Sequence, residues 1–265
     1  MSQGILSVGI NGASGRMGTR LIQLVAADQE LRLAAALERA GHPHLGEDAG
    51  PLSGIAPVGV VLSDSLADDL KLDVLIDFSL PPASLRIAAR CADLGIPLVV
   101  GTTGFDPDQL RSLESAATRI PLLVSPNMSR AVNLLMRLVA EAARSAGTTT
   151  DIAIIERHHR TKVDAPSGTA LRLAEIARAA RATDPASTSG PDRPTARARS
   201  EIDVHALRIN DSPGEHTVIF GFLGETLELS HRAFNRDGFA RGAIEAAKFL
   251  AGKPVGLYSM KDVIA

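Results

Sequence analysis

Short apolar runs alternate with amphipathic stretches over the first half of the chain. Residues 5–10 (ILSVGI) read as a buried strand, followed by a glycine-rich turn and a helix through LIQLVAA. A second run, 31–37 (LRLAAAL), ends at Glu38-Arg39, and further runs occupy 73–78 (DVLIDF), 96–100 (IPLVV) and 120–124 (IPLLV). Between the last three lie PPASLRIAARCADL and PDQLRSLESAA, whose apolar residues recur at helical spacing. Strand, helix, strand in this order predicts right-handed crossovers and a parallel sheet covered on both faces.

The pattern changes after residue 127. MSRAVNLLMRLVAEAARSA is one long helical stretch, DIAIIERHH a strand running into a loop, and SGTALRLAEIARAAR another helix. Residues 182–200 are aperiodic and rich in Pro, Ser, Thr and Arg, which marks an exposed, mobile loop. IDVHALRI, HTVIFGF and ETLELSHR alternate at period two and read as antiparallel or mixed strands, and FARGAIEAAKFLA as a last helix. The chain therefore reads as a nucleotide-type α/β domain followed by a helix-and-sheet domain. Periodicity does not say which of the two takes the last helix.

Composition narrows the class of partner. A length of 265 residues suits one large domain or two modest ones, and 45% hydrophobic residues supply a core. A net charge of −2, from 28 Lys+Arg against 30 Asp+Glu, argues against nucleic acid, whose binding leaves a basic excess. No apolar run approaches the ~18–20 residues that span a bilayer, and MSQGILSVGI lacks the basic start and long apolar stretch of a secretory signal. The lone Cys91 excludes an internal disulfide and a Cys-rich zinc site. The expectation is a cytoplasmic protein acting on small molecules, with no membrane, metal or nucleic-acid partner. Aromatics are only 3% of the chain, so Ala, Leu and Val must fill the core, and little surface remains for stacking bases.

Gly12-Ala13-Ser14-Gly15-Arg16-Met17-Gly18 lies between the first strand and the first helix, with the spacing GxxGxxG. Glycines there permit a tight turn and close backbone approach, so that N–H groups at the helix start can hold a pyrophosphate. No Gly-Lys-Ser/Thr follows, which excludes a Walker loop. The alternative is a turn that only packs strand on helix. Against it, Glu38 follows about 20 positions on, where such motifs carry the acidic residue for the adenosine ribose. Arg39 beside it can pair with a 2′-phosphate, so both NADH and NADPH are expected cofactors. Arg16 either covers the adenine or phosphates, or faces solvent. Gly101-Thr102-Thr103 and Ser125-Pro126-Asn127-Met128 follow IPLVV and IPLLV at the carboxyl edge, where open α/β sheets bind ligands. They read as parts of the cofactor site, with helix capping by Thr and Ser as the alternative.

The densest polar stretch is ERHHRTKVDAPSGTA, residues 156–170. His158 and His159 with Lys162 suggest a metal site, but no third ligand of suitable spacing accompanies them. Anion and acid–base chemistry is the second reading. Histidine delivers a proton near neutral pH, Lys162 offers a positive charge for a carboxylate, and the N–H groups where Ser167-Gly168-Thr169 begins a helix form an anion site. A solvated basic loop with Asp164 or Ser167 as a simple cap is the third.

GASGRMG, GTTGF, SPNMS and above all ERHHRTKVDAPSGTA resemble the dihydrodipicolinate reductase family of bacterial and plant lysine biosynthesis. The similarity extends across nearly the whole chain, including GEHTV at 214–218 and the closing helix. It implies a Rossmann-type parallel-sheet domain completed by the C-terminal helix, residues 1–127 and 236–265. Residues 128–235 would form an α+β substrate-binding and oligomerisation domain with a mixed sheet, assembled as a homotetramer. The implied reaction is NAD(P)H-dependent reduction of a cyclic dicarboxylate, 4-hydroxy-tetrahydrodipicolinate, to tetrahydrodipicolinate, in a site between the domains that closes on its ligands. Under the resemblance, Gly12–Met17, Glu38, Arg39, Gly101–Thr103 and Ser125–Met128 take the nucleotide-binding places. His158 matches the proton donor and Lys162 the second catalytic residue, while His159, Lys162, Gly168 and Thr169 match the substrate-carboxylate binders.

Departures from the family are Ala131 where Gly precedes Val-Asn, Ile209-Asn210 where a glycine usually stands, and a poorly matched 182–200. Three rivals fit less well. A semialdehyde dehydrogenase would need a nucleophilic cysteine, whereas Cys91 sits in the helical run RIAARCADLG. A nucleotide sensor would have no need of the polar loop, and a metal hydrolase lacks ligands.

Overall fold

The computed structural model describes residues 4–181, 188–189 and 201–265. In chain order the elements are β1 (Leu6–Asn11), α1 (Arg16–Ala27), β2 (Leu31–Leu37), α2 (Ala49–Leu52), β3 (Leu62–Ser63), β4 (Val74–Asp77), α3 (Pro81–Leu94), β5 (Leu98–Val100), α4 (Pro107–Ala116) and β6 (Pro121–Val124). They continue as α5 (Arg130–Ala146), β7 (Asp151–His158), α6 (Gly168–Ala180), β8 (Thr188–Ser189), β9 (Ile202–Arg208), β10 (Glu215–Phe222), β11 (Glu225–Arg232), α7 (Asp237–Leu250), β12 (Gly256–Tyr258) and α8 (Met260–Val263). Two compact units result, Met1–Arg130 with Asp237–Ala265, and Ala131–Arg236. The expectation for 182–200 falls outside the described residues, apart from the two that form β8.

The first unit is a seven-stranded sheet in the order β12-β6-β5-β4-β1-β2-β3, with every pair parallel. Crossover helices cover both faces, as the apolar runs require. On one face α1 and α7 bury Leu21, Ile22, Val25, Ala243 and Ala247 against Val8, Ile10, Ile76 and Val99. On the other, Ile87, Cys91 and Leu113 from α3 and α4 pack on Leu75, Leu98 and Leu122. Local chemistry sets the helix ends. Asp106 and Gln109 cap α4 reciprocally, and α3 starts on prolines and stops at Gly95 in the left-handed region. The last helix belongs to this unit: a Cβ at Gly242 would overlap the Met128 carbonyl, so glycine lets α7 press on the chain leaving β6. Cys91 is fully buried, which pushes its thiol up to about 12 and leaves it a packing residue.

The second unit holds a mixed sheet in the order β11-β10-β7-β9-β8. β7 and β9 run parallel, and β10 is antiparallel to both β7 and β11. α5 and α6 cover one face, burying Leu135, Val139, Leu173 and Ala174 against Ile152, Ile154, Val204, Val218 and Phe220. Together the two units are the Rossmann-type and α+β layers expected. The short elements α2, β3, β12 and α8 are additions that the apolar pattern did not announce.

Candidate functional site

β1 lies between β2 and β4, so the connections leave it in opposite directions along the sheet, and the carboxyl ends diverge there into a crevice. The glycine turn sits at that point. Gly12 and Ala13 both donate their N–H to the Leu37 carbonyl, at 2.9 and 3.0 Å, which pins the turn to the end of β2. Gly12 has φ +76°, and a Cβ there would lie 2.5 Å from the Phe78 carbonyl oxygen. A Cβ at Gly18 would overlap the Gly12 carbonyl and lie 2.6 Å from that of Ala13, so the helix start touches the turn backbone to backbone. No side chain caps α1 at Gly15, which leaves its first-turn N–H groups without a side-chain acceptor. Ala13 is buried and Met17 packs on the core, so these two offer only backbone, whereas Arg16 is exposed.

Glu38 closes the turn from the next strand. Its Oε2 accepts from Ser14 Oγ at 2.6 Å and Ser14 N at 3.3 Å, and its Oε1 from Arg39 N at 3.0 Å. Burial pushes the Glu38 carboxyl up, but the bonds from Ser14 and Arg39 more than offset it and hold it below the usual range. Glu38, exposed Arg39, Ser14 and Gly12 line a cavity of about 1100 Å³, along with His42 and Arg86. His42 Nε2 lies 3.2 Å from Ser14 Oγ.

Gly101–Thr103 and Ser125–Met128 follow β5 and β6 on the same carboxyl edge, outside that cavity's lining. Glycine at 101 leaves room for the Phe78 ring against the backbone. Thr102 is buried: its Oγ1 donates to Asp77 at 2.7 Å and accepts from Ser79 N at 2.9 Å. Thr103 is exposed and caps nothing, because Asp106 holds the start of α4. Ser125 Oγ donates to the Asn127 carbonyl, Asn127 Oδ1 accepts from Ser129 N, Pro126 is exposed and Met128 is buried in the core. Asp77, which sequence reasoning missed, also accepts from Asn11, Ser79 and Ser84, tying the ends of β1, β4 and β5 together. Its signal was an acidic residue inside the apolar run DVLIDF.

In the second unit β7 delivers the polar loop. Alternation places Ile152, Ile154, Glu156 and His158 on its helix-covered face, all buried. His158 Nδ1 lies 2.5 Å from Glu156 Oε2. Arg208 of β9 forks onto Glu156 with both contacts at 2.9 Å, and Ser167 N donates to Glu156 Oε1 at 3.0 Å. Burial pushes Glu156 up, but Arg208 and His158 more than offset it and hold it below the usual carboxylate range. His158 is held below ordinary imidazole by burial, with Lys162 and Arg208 adding to the effect and Glu156 opposing it.

Arg208 also donates to the carbonyls of Lys162 and Asp164, so it gathers the loop around the same carboxylate. Lys162 Nζ donates to Asp164 Oδ1 at 2.7 Å, and the His159 ring pairs with Thr161 Oγ1 at 2.8 Å. Ser167 caps α6 by accepting from Ala170 N at 3.2 Å. Gly168 at the helix start is exposed with open space beside its Cα, and Thr169 follows at intermediate exposure. His158, His159, Lys162, Gly168 and Thr169 thus come together on one loop and helix start. Sequence reasoning missed Glu156, Arg208, Gly214 and His216. Gly214 has φ +150° and a Cβ there would sit 2.8 Å from His158 Nε2, while the His216 ring meets His158 edge-on at 5.3 Å. Among the described residues no group of three or more His, Cys, Asp or Glu side chains is arranged to hold a metal, and no helix is long and apolar enough to cross a membrane.

The chain matches two family models end to end: "Dihydrodipicolinate reductase, N-terminus" over residues 6–128 and "Dihydrodipicolinate reductase, C-terminus" over residues 131–264. It is 49% identical over 264 residues to a 4-hydroxy-tetrahydrodipicolinate reductase from Anaeromyxobacter sp. strain Fw109-5, covering 98% of each chain. A namesake from Syntrophotalea carbinolica is 44% identical over 264 residues, covering 98% of this chain and 99% of that one. Among solved structures, dipicolinate-bound dihydrodipicolinate reductase from Paenisporosarcina sp. TG-14 superposes with a TM-score of 0.76 at 25% identity, over 96% of this chain and 97% of that one.

Proposed function

The chain belongs to the dihydrodipicolinate reductase family, and from that premise we propose how its residues reduce 4-hydroxy-tetrahydrodipicolinate to tetrahydrodipicolinate in lysine and diaminopimelate biosynthesis. Bound pyridine nucleotide supplies the hydride. The first unit fits such a group: backbone replaces side chains through the glycine turn, and a large cavity opens beside Glu38. Gly12–Met17 face the pyrophosphate, Glu38 accepts from the ribose, and Arg39 pairs with a 2′-phosphate, so NADH and NADPH both serve. Gly101–Thr103 and Ser125–Met128 continue the nucleotide site along the sheet edge.

The second unit holds the substrate. Its two carboxylates require fixed cations and N–H donors, which Lys162, His159 and the Gly168-Thr169 helix start provide. Exchange of Asp164 for a substrate carboxylate on Lys162 keeps that ammonium paired throughout. Loss of water from the 4-hydroxy form leaves a conjugated imine. Hydride addition pushes an electron pair to the far end of that system, and His158 delivers the proton there, with Lys162 assisting. The observation that carries this reading is the buried Glu156–His158–Arg208 cluster directly behind the loop that bears the cationic and N–H donors.

The enzyme works in the cytoplasm as a homotetramer, the second unit supplying the contact surface. Ile155 and Ile219 on the sheet face away from α5 and α6 support this, being only partly buried. Sedimentation of the intact protein as a monomer would remove the tetramer.

Oxidation of NADH or NADPH on adding the freshly generated intermediate tests the activity. His158→Gln is expected to lower kcat far more than it raises KM, with nucleotide Kd unchanged. An unchanged kcat removes His158 from the acid role.

A further inference from the structure

We infer that Glu156 is a positioning residue for the proton-delivery step, holding His158 with a proton on Nδ1 and Nε2 as the atom that gives its proton to substrate. This rests on reading His158 as the acid.

Glu156 stands in a row of β7 where its neighbours are Ile152 and Ile154, and its exposure is 0%. A carboxylate there costs stability unless every lone pair is used and its charge is matched. All are used: Oε2 takes His158 Nδ1 and Arg208 Nη1, and Oε1 takes Arg208 Nη2 and Ser167 N. Arg208 matches the charge.

Among the described residues Glu156 is the sole hydrogen-bond partner of the His158 ring. An acceptor-only carboxylate at Nδ1 admits a single neutral tautomer, with the proton on Nδ1 and Nε2 bare. The imidazolium form then carries its second proton on Nε2, on the side where Gly214 leaves no side chain. Delivering that proton breaks the Nε2–H bond and leaves Nδ1–H still donated to Glu156. Reprotonation of Nε2 from solvent resets the ring.

The groups facing His158 divide by sign. Glu156 on its own strand favours the imidazolium. Lys162 in the loop and Arg208 on β9 oppose it, while His216 on β10, held down to about 3 by burial, faces the ring uncharged. Glu156 is therefore the group that keeps a usable fraction of His158 protonated, and a substrate dianion adds to its effect.

The test is Glu156→Gln, which keeps size and an acceptor oxygen, alongside Glu156→Asp, which keeps the charge. For Glu156→Gln, kcat should fall about 10- to 100-fold with KM and nucleotide Kd little changed. The limb on which kcat falls with rising pH should move about one pH unit lower, because His158 loses its negative neighbour. Glu156→Asp should restore the position of that limb. Imidazole ¹⁵N spectra of the wild-type protein should show His158 as the Nδ1–H tautomer, a readout that does not depend on any variant folding.

Unchanged kcat and pH profile in folded Glu156→Gln would overturn the proposal, as would an Nε2–H or mixed tautomer in the wild type. These outcomes are separate from failure of the acid reading, which His158→Gln alone decides.

Discussion

Gly214 is the position where backbone conformation and chemistry meet, and replacing it with alanine separates their effects. Its φ of +150° is a conformation that alanine adopts at a cost of about 1–3 kcal/mol. The added Cβ would lie 2.8 Å from His158 Nε2, against 3.4 Å for ordinary contact, so the ring must yield by about 0.6 Å. It cannot simply swing back, because Glu156 Oε2 stands 2.5 Å behind Nδ1 and the His216 ring lies edge-on at 5.3 Å. A misplacement of 1 Å at a reacting atom costs about 100-fold, so 0.6 Å predicts a fall in kcat of about tenfold.

Gly224 is the control. It lies in the β10–β11 turn with φ +87° and open space where a Cβ would go. Gly224→Ala should lower the melting temperature by strain alone and leave kcat intact. Steady-state kcat and KM, thermal unfolding and nucleotide Kd on both variants form the assay. Equal losses of kcat in the two variants, or a wild-type kcat in Gly214→Ala, would refute the argument that His158 Nε2 is the atom being crowded.

Glu38→Gln removes a charge that repels a 2′-phosphate, so the ratio of kcat/KM for NADPH over NADH should rise about tenfold, while Arg39→Ala should lower it; initial rates with each nucleotide decide. Gly18→Ala forces α1 off the Gly12 and Ala13 carbonyls, so nucleotide Kd measured by calorimetry should rise at least about tenfold, and an unchanged Kd would remove the turn from the pyrophosphate site. Burial holds His216 down to about 3 against 6.5 for free imidazole, so the unfolded chain binds a proton between those pH values that the folded chain refuses. Stability is full above pH 6.5 and is lost as pH falls toward 3, by up to about 1.4 kcal/mol per pH unit; urea unfolding at pH 7 and 5 should show a smaller loss in His216→Gln, and equal losses would refute it.

What was legible in the sequence follows from which forces are local. β2 at Leu31–Leu37, α3 at Pro81–Leu94 and β7 at Asp151–His158 were readable because periodicity, prolines and the residues that end them lie within one stretch. The two-residue β3 and the three-residue β12 are too short to show a period, and their pairing partners β2 and β6 lie elsewhere along the chain. The placement of α7 was undecidable for a related reason. Its small apolar residues suit either core, and contacts distant in sequence select one: the approach of Gly242 to the Met128 carbonyl, the Arg20–Asp237 pair, and Lys248 on Asp28 and Glu30.

The same division runs through the site. His158, Lys162 and Gly168 share one loop and could be found by spacing, whereas Arg208 reaches Glu156 across 52 positions. Glu156 itself was within reach: strict alternation from Ile152 puts an acidic side chain into a buried row, and such a residue demands a buried cation. The positive charge around the loop is therefore not a loose surface feature, because Arg208 of β9 is committed to Glu156 while Lys162 pairs with Asp164. Under the proposed function the two units bind anions by different means. The first offers backbone kept bare by glycine for the pyrophosphate, with Glu38 and Arg39 beside it for the ribose end. The second sets Lys162, His159 and the Gly168-Thr169 helix start on a loop that Arg208 gathers around the buried Glu156, so a change at Glu156 or Arg208 should disturb turnover while nucleotide affinity stays intact.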